Sequence, residues 1–216
     1  MSVAKNLESI NSIIGSGVKL VVVTKNRSIR EINQAIFLGV KDIGENKVSE
    51  AKEKKMQIIT KKVNWHMIGH LQRNKVKDAI NIFDMIQSVD SLKLAKKIDF
   101  WCKLKNKVMS ILVQVNIGRE PQKYGIRPED VFSFLKELSK LKNIKVLGFM
   151  ATTPFIESEK VRHYFKELKM LFNQAKERKI PLIEMKYLSM GMTNDFEVAI
   201  KEGSNMVRIG TGVFKK

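Results

Sequence analysis

The chain repeats one pattern eight times: a short apolar, often β-branched run, followed by a stretch with helical spacing. The eight runs cover residues 18–24, 41–44, 64–69, 85–89, 111–116, 146–151, 187–192 and 206–211. Several runs are apolar at consecutive positions, which is typical of strands buried on both faces of a parallel sheet. Strands that alternate with helices need right-handed crossovers, and eight such units favour a closed barrel over an open sheet.

The segments between the runs carry helix signals. Ser28 precedes a helical pattern as a candidate N-cap, Asp90 or Ser91 does so after the fourth run, and Pro128 lies at the start of another helix. An extra helix is expected over residues 3–14, laid across one end of the barrel. At 216 residues, without a Pro-, Gly- or Ser-rich linker, the chain is expected to form one domain over residues 1–216, a single-domain (β/α)₈ TIM barrel with an extra N-terminal helix.

Composition limits the class of protein. The net charge is +18, from 40 Lys and Arg against 22 Asp and Glu, but the lysines are spread along the whole chain. This dispersion favours a solvated basic surface over a patch specific for nucleic acid, which would cluster its cations. Cys102 is the single cysteine, and no apolar run approaches the roughly 18 residues of a spanning helix. We therefore expect a cytoplasmic protein with no membrane partner.

Lys25 stands out because it follows the most apolar run of the sequence, VKLVVVT. In (β/α)₈ barrels, active sites form at the carboxyl ends of the strands. A lysine that is partly desolvated there favours the neutral amine and can attack an aldehyde. The alternative is an ordinary lysine at the end of a strand, pointing to water.

Two loops near the carboxyl end of the chain have the character of an anion site. Residues 189–193 (SMGMT) and 208–211 (RIGT) each combine a glycine with a hydroxyl group, and they lie at the ends of the seventh and eighth runs. Loops at these positions bind phosphate in many (β/α)₈ barrels. A phosphorylated aldehyde bound as a Schiff base would use both loops and Lys25. Arg208 is expected beneath the ring of such a ligand, or alternatively in an ion pair inside the barrel.

Two histidines have a spacing that metal ligands sometimes share. His66 and His70 are four residues apart, but no third ligand has matching spacing, so no metal site is expected. His66 is expected to pack under the barrel, whereas His70 follows a strand end and is expected to border the ligand. No Ser/His/Asp or Cys/His arrangement can be assembled.

The residues resemble the pyridoxal phosphate homeostasis proteins, also called the YggS or PROSC family, along nearly the whole chain. The matching segments are VVVTK (21–25), DIGENKVSEA (42–51), WHMIGHLQRNK (65–75), IQSVDS (86–91), VQVNI (113–117), GFMATTP (148–154), LSMGMTNDFEVAI (188–200) and GSNMVRIGTGVF (203–214). They occur in the order typical of that family.

The resemblance implies a single barrel similar to the amino-terminal domain of alanine racemases. It also implies pyridoxal 5′-phosphate (PLP) held as an internal aldimine on Lys25, with Arg208 beneath the pyridine ring. Its remaining cofactor-binding residues would be Asn46, Ser189, Met190, Gly191, Gly210 and Thr211, and His70 is expected beside them from its position after a strand end.

The function implied is that of a PLP carrier and regulator in vitamin B6 and amino-acid balance, with no catalytic residues. The alternative is a PLP-dependent amino-acid racemase. Racemisation with two bases needs a second acid/base opposite the lysine, and none of the three tyrosines recommends itself for that role. PLP-dependent apoenzymes are the implied partners, and we expect a monomer.

Overall fold

Eight parallel strands close into a barrel in the computed structural model, which describes residues 2–58, 60, 62–154 and 156–215. The barrel closes where β1 pairs with β8, with Lys19 opposite Met206 and Val22 opposite Ile209. The predicted fold class is confirmed. The strands are β1 (Lys19–Val23), β2 (Asp42–Glu45), β3 (Asn64–Met67), β4 (Met85–Val89), β5 (Met109–Gln114), β6 (Ile144–Met150), β7 (Ile183–Ser189) and β8 (Met206–Ile209).

Helices lie between the strands and cover the barrel. Ser28 caps the second helix in a reciprocal capping box with Glu31, and Ser91 rather than Asp90 caps the fifth. The helices are α1 (Val3–Ile14), α2 (Ile29–Phe37), α3 (Val48–Gln57), α4 (Val76–Ile82), α5 (Leu92–Leu104), α6 (Val131–Leu138), α7 (Arg162–Glu177), α8 (Phe196–Lys201) and α9 (Thr211–Phe214). Among the described segments, none of these helices combines the length and apolar character that crossing a bilayer requires.

The amino-terminal helix α1 has the predicted bounds but packs elsewhere than expected. Leu7, Ile10 and Ile14 contact the apolar outer faces of β1 and β8 rather than covering an end of the barrel. The side chain of Asn6 donates to the backbone oxygens of Val213 (3.0 Å) and Lys215 (2.8 Å). Because α9 has only four residues, it cannot cover β8 by itself, and α1 buries the remaining apolar surface.

Several strands end earlier than the sequence pattern predicts. The seventh run was expected at 187–192, but β7 covers Ile183–Ser189, and Gly191 turns away with φ +97°. The register also shifts between β4 and β5, between β5 and β6, and between β6 and β7. These shifts change which side chains face the inside, so facing cannot be read from alternation alone.

The inside of the barrel is partly polar. Val21, Met85, Leu112, Leu147, Met150 and Met206 form a small apolar cluster inside the barrel. Asp42, His66, Gln87, Ser189 and Arg208 are also buried and hydrogen-bond to one another in series. The larger apolar core lies between strands and helices. This series of polar side chains therefore extends through the inside of the barrel to the carboxyl ends of the strands.

Candidate functional site

A cavity of about 510 Å³ opens at the carboxyl ends of β1, β6, β7 and β8. This is the end of a (β/α)₈ barrel where active sites form. The residues that line it are Val23, Lys25, Arg27, Thr153, Pro154, Ile156, Met192, Thr193, Asn194, Asp195, Arg208, Gly210 and Thr211. A cavity of about 570 Å³ at the opposite end is lined largely by α1, loop residues and exposed lysines.

Lys25 lies at the rim of the carboxyl-end cavity. β1 ends at Val23, and the chain turns through Asn26, which has φ +58° and donates its backbone N–H to Glu50 Oε1 at 2.7 Å. The side chain of Lys25 is exposed, whereas partial desolvation was expected. It is exposed because it lies in the turn after β1 and not in the buried strand, and it still lines the cavity.

A charge cluster formed by the buried Glu45 and Lys54 and the half-buried Glu50 lies behind this turn and contacts it. Lys54 Nζ donates to Thr24 O (2.6 Å), Glu45 Oε1 (2.7 Å) and Glu50 Oε1 (2.6 Å). Burial raises the pKa of Glu45, and hydrogen bonds from Lys54 and Thr24 oppose this only in part. The sequence prediction missed the cluster, although Glu50 and Lys54 have the i,i+4 spacing of a helical ion pair.

Arg208 forms the floor of the cavity and is only 4% exposed. Its Nη1 donates to Ser189 O (2.8 Å) and Ser189 Oγ (2.6 Å), and its Nη2 donates to Ala151 O (2.7 Å). Burial lowers the pKa of Arg208 to about 10, and the charge of Asp195 opposes this effect. No carboxylate of the described residues lies within ion-pair distance, so the alternative of an interior ion pair is wrong.

The end of β7 and the loop after it contribute some residues that line the cavity and others that lie beneath it. Ser189 is buried below the floor, Met190 packs in the core between barrel and helices, and Gly191 O accepts from the backbone N–H of Arg208 at 3.0 Å. A Cβ on Gly191 would lie 2.7 Å from Ala199 Cβ, so a side chain there would displace α8. These three residues shape the cavity without lining it; Met192 and Thr193 line it instead.

Backbone N–H groups and hydroxyls meet where the loops after β7 and β8 approach each other. Gly210 and Thr211 line the cavity, and Gly212 N donates to Thr193 Oγ1 at 3.2 Å. Asp195 fixes the β7 loop by accepting from Met192 N (2.6 Å) and Thr153 Oγ1 (2.8 Å). Two loops of this kind, above a buried guanidinium, make an electropositive corner suited to an anion.

Asn46 and His70 lie apart from this cavity. They line a separate depression of about 420 Å³ with Lys47 and Lys75. His70 Nδ1 is 3.0 Å from Asp90 Oδ2, and its ring stacks on Tyr124 with centroids 3.7 Å apart. No cluster of three or more potential metal ligands occurs among the described residues. The structure therefore does not bring Asn46 and His70 together with Lys25 and Arg208.

Comparison with known proteins defines first the class of barrel. The chain matches the family described as "Alanine racemase, N-terminal domain" over residues 1–216. Its fold is similar to that of an alanine racemase of Clostridium difficile, with a TM-score of 0.77 and 20% identity over 98% of this chain and 55% of that one. At this identity the likeness concerns the fold alone.

More similar relatives are the pyridoxal phosphate homeostasis proteins of Aquifex aeolicus (38% identical, 91% of this chain and 86% of the relative) and Pasteurella multocida (36%, 92% and 86%). The PLP-bound structure of PipY from Synechococcus elongatus superimposes with a TM-score of 0.92 and 30% identity over 99% of this chain and all of that one. The chain therefore belongs to the pyridoxal phosphate homeostasis proteins of the alanine racemase N-terminal domain family, which confirms the resemblance seen in the sequence.

Proposed function

We propose that this protein binds PLP in the cavity at the carboxyl end of the barrel and serves as a carrier and regulator of PLP, without robust catalysis. The observation that carries the proposal is the Arg208 guanidinium, buried on the floor of a cavity that has Lys25 at its rim. Three protein oxygens accept hydrogen bonds from this cation, but no carboxylate of the described residues pairs with it, so its charge favours an anionic or polar ligand in the cavity above it. The PLP-bound PipY structure and the names of the relatives support this choice of ligand.

PLP supplies an aldehyde that condenses with an amine and a pyridine ring that withdraws electrons. Lys25 would bind the aldehyde covalently. Gly210 and Thr211 would bind the phosphate together with the β7 loop, and Ser189 and Gly191 would support that loop from below. Asn46, His70 and Met190 would act, if at all, from outside this cavity.

Arg208 favours a carrier over an enzyme. A guanidinium only donates hydrogen bonds, so it would keep a facing pyridine nitrogen unprotonated and weaken the ring as an electron sink. The alternative, a racemase, needs a second acid/base opposite Lys25. No tyrosine or histidine is among the residues described as lining the cavity. PLP-dependent apoenzymes as recipients, a monomeric state and a cytoplasmic location stay predictions.

Absorption spectroscopy of the purified protein with PLP, then borohydride reduction and peptide mapping, tests the proposal. We expect a visible band that reduction removes and a pyridoxyl group on Lys25. Lys25→Ala should lose the trapped adduct, whereas Lys47→Ala, an exposed lysine on the neighbouring β2 loop, should keep it. A colourless protein after addition of PLP, or an adduct that persists in Lys25→Ala, would show that the ligand or its anchor is wrong.

A second variant tests the anion end of the cavity. Thr211→Val should weaken PLP retention about tenfold or more, because hydrogen bonds to charged groups contribute about 1.5–3 kcal/mol. The adduct on Lys25 should still form at saturating PLP. Unchanged retention, measured by equilibrium dialysis, would place the phosphate elsewhere.

A further inference from the structure

A continuous chain of hydrogen-bonded side chains runs through the inside of the barrel from one end to the other. At the amino-terminal end Lys19 Nζ contacts Asp42 Oδ2 at 2.9 Å, and Asp42 Oδ1 is 2.9 Å from His66 Nε2. His66 Nδ1 is 3.0 Å from Gln87 Nε2, and Gln87 Oε1 is 2.7 Å from Ser189 Oγ. Ser189 Oγ accepts from Arg208 at 2.6 Å, on the floor of the carboxyl-end cavity. We call this series the interior chain.

Each hydrogen bond of the interior chain between Asp42 and Ser189 can be assigned a donor and an acceptor. Burial would raise the pKa of Asp42, but hydrogen bonds from His66 and Lys19 outweigh it and hold that pKa below its usual value. Asp42 is therefore an acceptor, and His66 Nε2 carries the proton it donates. In a neutral imidazole, Nδ1 then accepts from Gln87 Nε2, which leaves Gln87 Oε1 to accept from the hydroxyl of Ser189.

This orientation leaves the oxygen of Ser189 free to accept from Arg208. The hydroxyl proton of Ser189 is directed at Gln87, so it does not compete for the lone pair that Arg208 Nη1 uses. The other protein acceptors of the guanidinium are backbone oxygens of Ser189 and Ala151. Among the described residues, Ser189 Oγ is thus the side-chain atom that accepts a hydrogen bond from Arg208, and it links the guanidinium to Gln87.

The burial of these groups makes the arrangement costly to disturb. His66 is 2% exposed, and Gln87 and Ser189 are fully buried. A buried polar group that loses its partner costs about 1–3 kcal/mol. Neighbouring interior positions are filled by Met85, Leu112 and Met206, so an apolar side chain fits this environment. Polar residues at these positions thus call for a role beyond filling space.

We propose that Asp42, His66 and Gln87 are positioning residues of the cofactor cavity, which fix Arg208 through Ser189 and couple it to the Lys19–Asp42 ion pair at the opposite end of the barrel. The inference rests on the proposed function for its ligand, PLP. Its structural part, the control of Arg208, holds for the cofactor-free protein and can be tested there.

The first test uses NMR of the cofactor-free protein. The chain has three histidines, so the imidazole ¹⁵N signals can be assigned by single substitutions. His66 should show the neutral tautomer with the proton on Nε2. Gln87→Met, which keeps the length but removes both polar atoms, should raise the hydrogen-exchange rate of the Arg208 guanidinium about tenfold, within the range of couplings in one hydrogen-bond network.

The control is Met85→Leu, on the same strand and also facing the inside. Both variants are expected to lower the melting temperature, but only Gln87→Met should change Arg208 exchange. Gln87→Glu, whose oxygens both accept, should draw a second proton onto His66 and keep the contact with Ser189. An unchanged Arg208 exchange rate in Gln87→Met, or a His66 proton on Nδ1 in the unaltered protein, would overturn the proposal.

The second test uses PLP labelled with ¹⁵N in the ring. Gln87→Met should weaken PLP binding about tenfold and shift the ring ¹⁵N signal, whereas Met85→Leu should leave the signal in place. Lys19→Met should also weaken PLP binding and shift the ring ¹⁵N signal. Lys41→Met, which replaces an exposed lysine at the same end but outside the interior chain, should change neither. Equal behaviour of the two lysine variants would refute the coupling across the barrel.

The two proposals fail in different ways. If the unaltered protein takes up no PLP, the proposed function fails, and the NMR of His66 and Arg208 still decides the interior chain. If PLP binds and Arg208→Met weakens it while Gln87→Met changes neither Arg208 exchange nor the ring signal, the interior chain fails and the proposed function stands.

Discussion

Replacing Lys54 by methionine is expected to lower the free energy of unfolding by about 3–5 kcal/mol near pH 8. The side chain of Lys54 is 8% exposed and that of Glu45 is fully buried, with 2.7 Å between Nζ and Oε1. The substitution leaves the Glu45 carboxylate with Thr24 Oγ1 at 2.6 Å, and Glu45 Oε2 already has no hydrogen-bond partner. Breaking a buried pair on one side leaves an uncompensated charge, which is the source of the cost.

The loss of stability caused by Lys54→Met should be larger at high pH than at low pH. Burial raises the pKa of Glu45 in the folded protein, and loss of Lys54 raises it further. Between the unfolded and the folded pKa the folded state binds more protons, so stability falls as pH rises through that window. Each additional unit of pKa corresponds to about 1.4 kcal/mol. The difference between Lys54→Met and the unaltered protein should therefore be smaller at pH 5.5 than at pH 8.

Urea unfolding followed by tryptophan fluorescence at both pH values measures the difference. Lys52→Met, an exposed lysine on the same helix, is the matched control and should change stability by less than about 0.5 kcal/mol. Adding Glu45→Gln to Lys54→Met should recover part of the loss, because it removes the buried charge. A Lys54→Met cost equal to that of the control, or larger at pH 5.5 than at pH 8, would refute the reasoning.

Three further variants test the fold. Gly148→Ala should cost more than about 3 kcal/mol or prevent folding, because φ is +138° and the new Cβ would lie 1.9 Å from the Tyr187 carbonyl oxygen. Gly17→Ala meets no atom within 4 Å and should keep its melting temperature within a few degrees. Asp42→Asn should lower stability near neutral pH, where the depressed pKa of Asp42 stabilises the fold, and the difference should shrink as pH falls through that lowered pKa and the unaltered Asp42 is protonated; a loss that is the same in acid would contradict this.

The positions of strands and helices were predictable because their signals are local. Runs of consecutive apolar residues and helical spacing are properties of a few neighbouring positions, and they located the eight strands and α1. Knowing that parallel strands end on one side of a barrel was then enough to bring Lys25, Arg208 and Thr211 to one cavity.

Local sequence signals could not predict which residues line the cavity and which support it from outside. Ser189 and Met190 point to opposite sides of the sheet, as neighbours in a strand do, so one faces the inside of the barrel and the other packs under the helices. Which of the two faces the inside depends on how β7 pairs with its neighbours, and the register shift between β6 and β7 cannot be read from local sequence. His70 similarly meets Asp90 and Tyr124 from loops after other strands, which draws it away from the main cavity.

The sequence by itself determined a closed (β/α)₈ barrel, a lysine at the first strand end and, at the last two strand ends, two loops that each combine a glycine with a hydroxyl group, because periodicity and the order of elements suffice for these. Only the tertiary structure decided that Lys25 is exposed at the rim, that Lys54 is buried behind it, and that Gln87 connects His66 to Ser189. Those contacts join residues up to about a hundred positions apart, and their geometry exists only once the barrel has closed.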